Sequence, residues 1–198
     1  MTTPTVVMTR LDAVNSLLAS VGQSPINTLV SPIPKDAAQA EIVIDTVLRE
    51  VLTMGWSFNT DKDYELIPDG NDNILVPANA MFVDPESGHK DYVIRYESGV
   101  AKLYDRDLNS FTIPDKVACR IVWAYNFEEV PQPVRQYITA RAGRIFQSQI
   151  VGSQILYQYT AELEGEAYAN FKRMERRQKK HNMIQGTAIA SRRFNPMR

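Results

Sequence analysis

The hydrophobic period of this chain changes twice, and no other feature constrains its fold as much. Four apolar residues near the start recur at helical spacing: Leu11, Val14, Leu18 and Val21. Between about residues 56 and 127 apolar residues alternate with others instead, as in strands that bury one face. Helical spacing returns after Pro133. The sequence therefore predicts helices at both ends of the chain around a β-rich insert.

Local signals predict where the first three helices begin and end. The first is expected over 10–21, with Thr9 as N-cap and Gly22 just after its end. The second is expected over 37–54, where Asp36 and the residue three positions later fit a capping box. Pro133 is tolerated in a first turn, so a third helix should run from there to about Gly152.

A fourth, long helix is predicted from Ser153 to about Met183. An apolar stripe is expected to line one side of it: Leu156, Tyr159, Leu163, Ala167, Phe171 and Met174. At 1.5 Å per residue the helix would be about 45 Å long, which is longer than a compact body of this size needs. We expect its basic end to project.

The insert carries signals of antiparallel pairing. A tight turn at Ser98-Gly99 should join strands 92–97 and 100–105 into a hairpin. Alternation is clearest over 117–125, which predicts a further strand. Residues 69–73 and 84–90 are rich in turn formers and are expected to be loops.

Together these elements predict an α+β protein: an antiparallel helical bundle of four main helices with an inserted antiparallel β-rich domain. The expected domains are 1–55 with 128–185 for the bundle and 56–127 for the insert, followed by a flexible basic tail at 186–198.

The composition is that of a globular protein, with 198 residues, 44% hydrophobic and 23% charged. Its longest apolar run, 121–125, is far shorter than the ~20 residues of a membrane-spanning helix. The first ten residues include no apolar stretch of signal-peptide length, so we expect no export by that route. The single cysteine, Cys119, cannot form an intramolecular disulfide, which favours a reducing compartment.

The formal net charge of −1 conceals a strong polarity. Residues 171–198 hold nine basic residues against one acidic residue, Glu175, so this segment carries +8 and the rest of the chain −9. An acidic body with a basic end favours an anionic partner for that end, either nucleic acid or an acidic protein surface. The alternative is a solvated helix end without a partner.

Metal and nucleophile chemistry find little support in the sequence. His89 and His181 have no cysteine or histidine partner at ligand spacing. The segment from Asp69 resembles half of a calcium loop, but Ile74 stands where the loop needs glycine and Ala80 where it needs glutamate. Cys119 lies in mid-strand, where a cysteine is usually a small buried hydrophobe. We therefore predict no metal site, no cofactor and no catalytic residue.

Paired carboxylates leave one enzymatic alternative, a glycan hydrolase. Five acidic residues could supply such a pair: Asp61, Asp63, Glu65, Glu128 and Glu129. Any protein with 23 acidic residues offers similar pairs, so solvated carboxylates explain them as well. A nonspecific DNA-binding protein is the third alternative, although no aromatic residues interleave the basic ones as a stacking surface requires.

Several stretches, in this order, resemble one known family. They are LDAVNSLLASVG at 11–22, PINTL at 25–29, the helix from 36 into GWSFN at 55–59, YELIP at 64–68, YDR at 104–106, and VPQPVRQYI at 130–138 continuing through Arg144 and Phe146. With the order of helices, insert and basic tail, the chain resembles the tail tubular protein A family of short-tailed bacteriophages. The likeness covers about residues 9–185.

This resemblance implies a structural role in the virion and no catalysis. Twelve copies would form an adaptor ring beneath the portal, joined to a nozzle of the tail tubular protein B type, with the genome leaving through the lumen without specific binding. The protein would be made in the host cytoplasm and would not enter a membrane. The basic end is then the expected portal-docking element: Lys172, Arg173, Arg176, Arg177, Lys179, Lys180, Arg192 and Arg193.

Overall fold

A computed structural model describes residues 7–86 and 91–186, apart from the side chains of 154–156 and 180–186. Its elements in chain order are α1 (Arg10–Ser20), α2 (Lys35–Thr53), β1 (Thr60–Leu66), β2 (Ala80–Pro85), β3 (Tyr92–Glu97), β4 (Val100–Asp105), β5 (Val117–Trp123), a 3-10 turn (Phe127–Glu129), α3 (Gln132–Ile150) and α4 (Gln154–Gly186). They form two compact units, a helical unit (Met1–Leu48 and Asn126–Arg198) and a sheet unit (Arg49–Tyr125). The described helices include none that is both long and apolar enough to cross a membrane.

Helix α1 begins and ends as its sequence predicts. The Thr9 hydroxyl accepts the Asp12 N–H, while the Asp12 carboxylate accepts the Thr9 N–H at 2.9 Å, which completes a capping box. These hydrogen bonds from Thr9 lower the pKa of Asp12. At the other end Gly22 has a φ of 76°, and the N–H of Gln23 donates to the Leu18 carbonyl, as in a Schellman motif.

Helix α2 starts earlier than its predicted capping box. It begins at Lys35, and the Ala38 N–H already donates to the Pro34 carbonyl. Asp36 therefore lies inside the first turn, where its charge still favours the helix dipole, and the predicted capping box is wrong. In the helical unit α2 is held to α1 by Arg10, which pairs with Glu41 at 3.1 Å and Asp45 at 2.6 Å.

Helix α3 forms the centre of the helical unit. Pro133 lies in its first turn, as predicted, and Gly152 with a φ of 65° follows its end. Val134, Ile138, Ala142 and Phe146 recur at helical spacing and are all fully buried. Both α1 and α4 pack against this helix.

The sheet unit contains two antiparallel sheets. Strand β5 lies between β1 and β2, and β3 pairs with β4 around the predicted Ser98-Gly99 turn. Asp84 and Pro85 belong to β2, so the expected loop begins later than residue 84. The core side chains include Ile74, Leu103, Ile113, Cys119 and Ile121. Burial raises the pKa of Cys119 to about 11, as the carboxylates of Asp84 and Glu86 also do to a smaller extent.

The described elements therefore confirm a mixed α+β protein with antiparallel strands in its middle. The four-helix antiparallel bundle stays a prediction. The predicted tail lies largely outside the described residues.

Candidate inter-subunit surface

Helix α4 is attached to α3 through a narrow polar seam. Glu164 receives the Nε–H of Arg144, and the Arg141 guanidinium lies 3.6 Å from its other carboxylate oxygen. Arg144 also donates to the Tyr157 hydroxyl at 2.8 Å. The hydrogen bond with Glu164 raises the pKa of Arg144. Because the Glu164 side chain is only 14% exposed, its two arginine partners fix the position of α4 along α3.

Further along, aromatic packing replaces the ion pairs. The Tyr137 ring of α3 lies 5.1 Å from the Tyr168 ring and 5.8 Å from the Phe171 ring of α4. Phe171 is fully buried and Glu175, one turn later, is 2% exposed. The contacts of α4 advance toward its C-terminus as those of α3 move toward its N-terminus, so the two helices are antiparallel.

The flank of α4 that carries Tyr159 and Leu163 is exposed within the described helical unit. Tyr159 is 61% exposed and Leu163 is 44% exposed, and both belong to the predicted apolar stripe. The contact with α3 uses Glu164 and Phe171 instead, which lie about a quarter turn or more around the helix from them. Of the predicted apolar stripe, Phe171 is therefore buried against α3, whereas Tyr159 and Leu163 are exposed.

Two further exposed apolar side chains directly precede α4 in the chain. Ile150 and Val151, at the end of α3, are 46% and 47% exposed, whereas Tyr157, which is 45% exposed, is bonded to Arg144 and belongs to the seam. We call the set of Ile150, Val151, Tyr159 and Leu163 the α4 patch. Exposed apolar groups gathered along one helix and its preceding turn are typical of a protein–protein interface.

The basic residues of α4 take different environments. Arg173, Arg176 and Arg177 are exposed. The Lys172 ammonium lies 5.8 Å from the centre of the Tyr168 ring, and that of Lys179 pairs with Glu175 at 3.1 Å. The side chain of Lys180, and all of Arg192 and Arg193, lie outside the described residues. The exposed arginines are the described side chains most available to an anionic partner.

The carboxylates of the hydrolase alternative take structural partners. Asp61 accepts the indole N–H of Trp123 at 2.8 Å, and Glu65 pairs with Lys116 at 2.5 Å. Glu128 accepts the N–H of Arg10 at 3.2 Å, and Glu129 accepts that of Asn126 at 2.6 Å. Asp63 has a φ of 54° at an irregularity in β1. These contacts do not indicate a pair of carboxylates arranged for acid–base catalysis.

The half calcium loop is also explained by local structure. The Asp69 carboxylate accepts the N–H groups of Asn73 and Asn71, at 3.0 Å and 2.8 Å, and these bonds lower its pKa. Asx turns of this kind need no ion. Across the described residues no group of potential metal ligands gathers, while His89 and the His181 side chain lie outside them.

Sequence reasoning missed the polar residues that attach α4. Glu164 bonds to two arginines of another helix, and the Thr160 hydroxyl donates at 3.4 Å to the side-chain carbonyl of Gln147, which is 4% exposed. Neither contact is local, so no spacing rule indicates it. Among these described polar contacts of α4, the Glu175–Lys179 pair could have been predicted from the sequence, because its residues are four positions apart on one helix.

Comparison with known proteins identifies the family of this chain. No curated protein matches the chain. The family model described as Tail tubular protein matches residues 11–181, which covers most of the chain. That match includes the four helices, the sheet unit and the first basic residues of α4. The chain therefore belongs to the tail tubular protein family and is a structural protein of a phage tail.

Proposed function

We propose that the protein forms a ring of twelve copies that joins the portal of the capsid to the tail nozzle and surrounds the path of the ejected genome. The exposed α4 patch is the observation that carries this proposal. In water, burying its apolar side chains against a neighbour would favour association by about 25 cal/mol for each Å² of apolar surface removed. Within the described helical unit Tyr159 and Leu163 keep much of their apolar surface exposed.

A ring requires two unlike surfaces on each copy, because one patch must meet a different patch of the next subunit. The α4 patch is one candidate surface. The exposed Ile42 of α2, 58% exposed in the same unit, is a candidate for the receiving surface. Repeating a modest contact around a closed ring makes the assembly far more stable than one contact alone.

The basic end of α4 is the proposed portal-docking element. Arg173, Arg176 and Arg177 support this role because they are exposed on a helix that α3 holds in place through Glu164 and Phe171. Twelve such ends would present a ring of positive charge to an acidic portal surface. The acidic remainder of the chain, at −9, supports a lumen that does not grip DNA, since phosphate binding depends on lysine and arginine.

The decisive experiment replaces Tyr159 and Leu163 by aspartate and images the protein mixed with portal and nozzle. We expect rings from the unaltered protein and none from the double variant, with unchanged circular dichroism. Ala161→Asp combined with Ala169→Asp is the matched control, because it adds the same two charges at other exposed positions of α4. Rings formed by the double variant would reject the patch, and the absence of rings from the unaltered protein would reject the proposal.

A further inference from the structure

Strand β3 has an open edge. A two-residue turn joins Glu97 to Val100, and the Arg106 N–H donates to the Asp91 carbonyl at 2.9 Å. This register directs the backbone groups of Val93 and Arg95 toward β4. The N–H and C=O groups of Ile94 and Tyr96 therefore point away from β4, and no described strand pairs with them. They can accept an added strand.

The other edges of the sheet unit are closed or protected. The outer side of β4 is bonded to the segment before β2, with Leu103 donating to Ile74 at 3.0 Å. Strand β1 carries charged side chains and an irregular register, and Asp63 there has a φ of 54°. Strand β2 ends in Pro85. Charges, bulges and proline are the usual protection of an edge against pairing, and β3 lacks such an irregularity in its register.

Two residues of this strand, Ile94 and Tyr96, also line an apolar groove. Its volume is about 460 Å³, and it runs between β2 and the hairpin of β3 and β4. Phe82, Ile94, Tyr96 and Val100 line it, and all four are at least 36% exposed. None of its lining residues is charged. An occupant should therefore be an extended segment that has apolar or neutral side chains and a backbone able to pair with β3.

We infer that the N-terminal segment Met1–Val6 of a neighbouring copy docks here as an added strand. Its composition fits the groove: the segment MTTPTV has no charged side chain, and four of its residues are β-branched. Pro4 is compatible with an edge position when Thr3 and Thr5 supply the bonds to β3, because successive N–H groups alternate in direction. The C-terminal segment fits less well, since its Arg192 and Arg193 would find no acidic partner in the lining.

The attachment of this segment supports its availability to a neighbour. The N–H of Met8 donates to Gln132 at 2.9 Å, and the Met8 carbonyl accepts from Arg135 at 2.7 Å. The chain is therefore fixed to α3 just before α1, and the six residues ahead of Val7 can extend by about 20 Å. An exchange between copies supplies a heterologous contact of the kind that a ring needs; in this respect the inference rests on the proposed function.

Cross-linking of mixed single-cysteine variants tests the exchange. Cys119 is buried and its pKa is raised, so the native thiol is inert and Thr5→Cys and Tyr96→Cys each add one reactive thiol. After the two variants are mixed and oxidised mildly, we expect about tenfold more cross-linked pairs than in control mixtures, because docking raises the effective concentration of the two thiols. The controls pair Thr5→Cys with Asp63→Cys, and Thr187→Cys with Tyr96→Cys.

The outcomes separate this inference from the proposed function when rings are imaged in the same samples. Rings without the Thr5–Tyr96 cross-link overturn the exchange and leave the ring proposal intact. Cross-linked pairs without rings support the exchange and count against the ring. A preferred Thr187–Tyr96 cross-link assigns the groove to the C-terminal segment and overturns the inference. With neither rings nor cross-links, both proposals are wrong.

Discussion

Asn59 illustrates how one buried side chain can join several elements of the sheet unit. It is fully buried, and its amide group donates to the carbonyls of Leu52 and Trp123, at 2.9 Å and 3.0 Å. Its side-chain carbonyl accepts the Trp56 N–H at 2.8 Å. The residue therefore links the end of α2 to the end of β5, and its polar atoms are satisfied within the protein.

Asn59→Asp should destabilise the protein by about 3 kcal/mol or more at neutral pH, because a buried carboxylate would face two carbonyl oxygens and lose both donors. The free energy of unfolding, measured with a chemical denaturant, checks this value. Asn71→Asp is a matched control at an exposed position and should change the free energy by less than about 0.5 kcal/mol. Equal losses in the two variants would contradict the role of Asn59.

The capping box of α1 gives a prediction with a pH dependence. Thr9→Ala should cost about 1 kcal/mol at pH 7, since the Asp12 N–H loses its acceptor. The pKa of Asp12 is lower in the folded state than its ordinary value, so its stabilising effect is complete above about pH 4 and disappears as the pH falls through the folded-state value. The difference in free energy of unfolding between Thr9→Ala and the unaltered protein should therefore become smaller in acid.

Denaturation curves at pH 7 and near pH 3 measure that difference. Thr46→Ala serves as the control, because the Thr46 hydroxyl bonds only within its own helix, to the Ile42 carbonyl at 2.8 Å. A difference that becomes larger in acid would contradict the assigned contribution of Asp12.

At the scale of elements, the attachment of α4 depends on very few side chains. Glu164 has two arginine partners, and Phe171 supplies the buried aromatic contact. Most other described positions between 157 and 170 are exposed. A helix held by so narrow a seam should open more readily than α3, whose apolar face is fully buried.

Glu164→Ala should therefore lower the free energy needed to open α4 by about 1–3 kcal/mol, because the partly buried guanidinium of Arg144 would lose its carboxylate partner. Hydrogen exchange of the amides over 157–171 should accelerate, while exchange in β5 should not change. Glu162→Ala removes a carboxylate from an exposed position of the same helix and should leave exchange nearly unaltered. If both variants exchange alike, the seam does not hold the helix.

Elements set by local chemistry could be predicted from the sequence, whereas contacts between elements could not. Helix ends could be predicted at Thr9, Pro133 and Gly152, because the local preferences of these residues favour such ends. The preferences of Ser98 and Gly99 favour a tight turn in the same way. The capping box predicted at Asp36 is wrong because the residues before it already make helical hydrogen bonds. Tyr159 and Leu163 follow helical spacing, but spacing cannot tell which side meets α3 when polar residues make that contact.

For the whole molecule, charge and apolar surface support two different contacts of the proposed assembly. The α4 patch is apolar and should act between copies, whereas Arg173, Arg176 and Arg177 should act on the portal. The dependence on salt concentration distinguishes the two contacts, because salt screens contacts between exposed charges and affects the burial of apolar surface far less. The residues substituted in the two surfaces, Tyr159 with Leu163 and Arg176 with Arg177, all lie on α4, so the comparison does not depend on different helices.

Arg176→Glu combined with Arg177→Glu should weaken portal binding by roughly tenfold or more at low salt, because each replacement turns attraction into repulsion. The loss should shrink as ionic strength rises, while ring formation by the variant stays intact. Tyr159→Asp with Leu163→Asp should instead abolish rings at every salt concentration. Binding of the purified rings to portal across a salt series provides the measurement. A loss of portal binding that is independent of salt would show that the arginines act through folding, and the docking role of α4 would then be wrong.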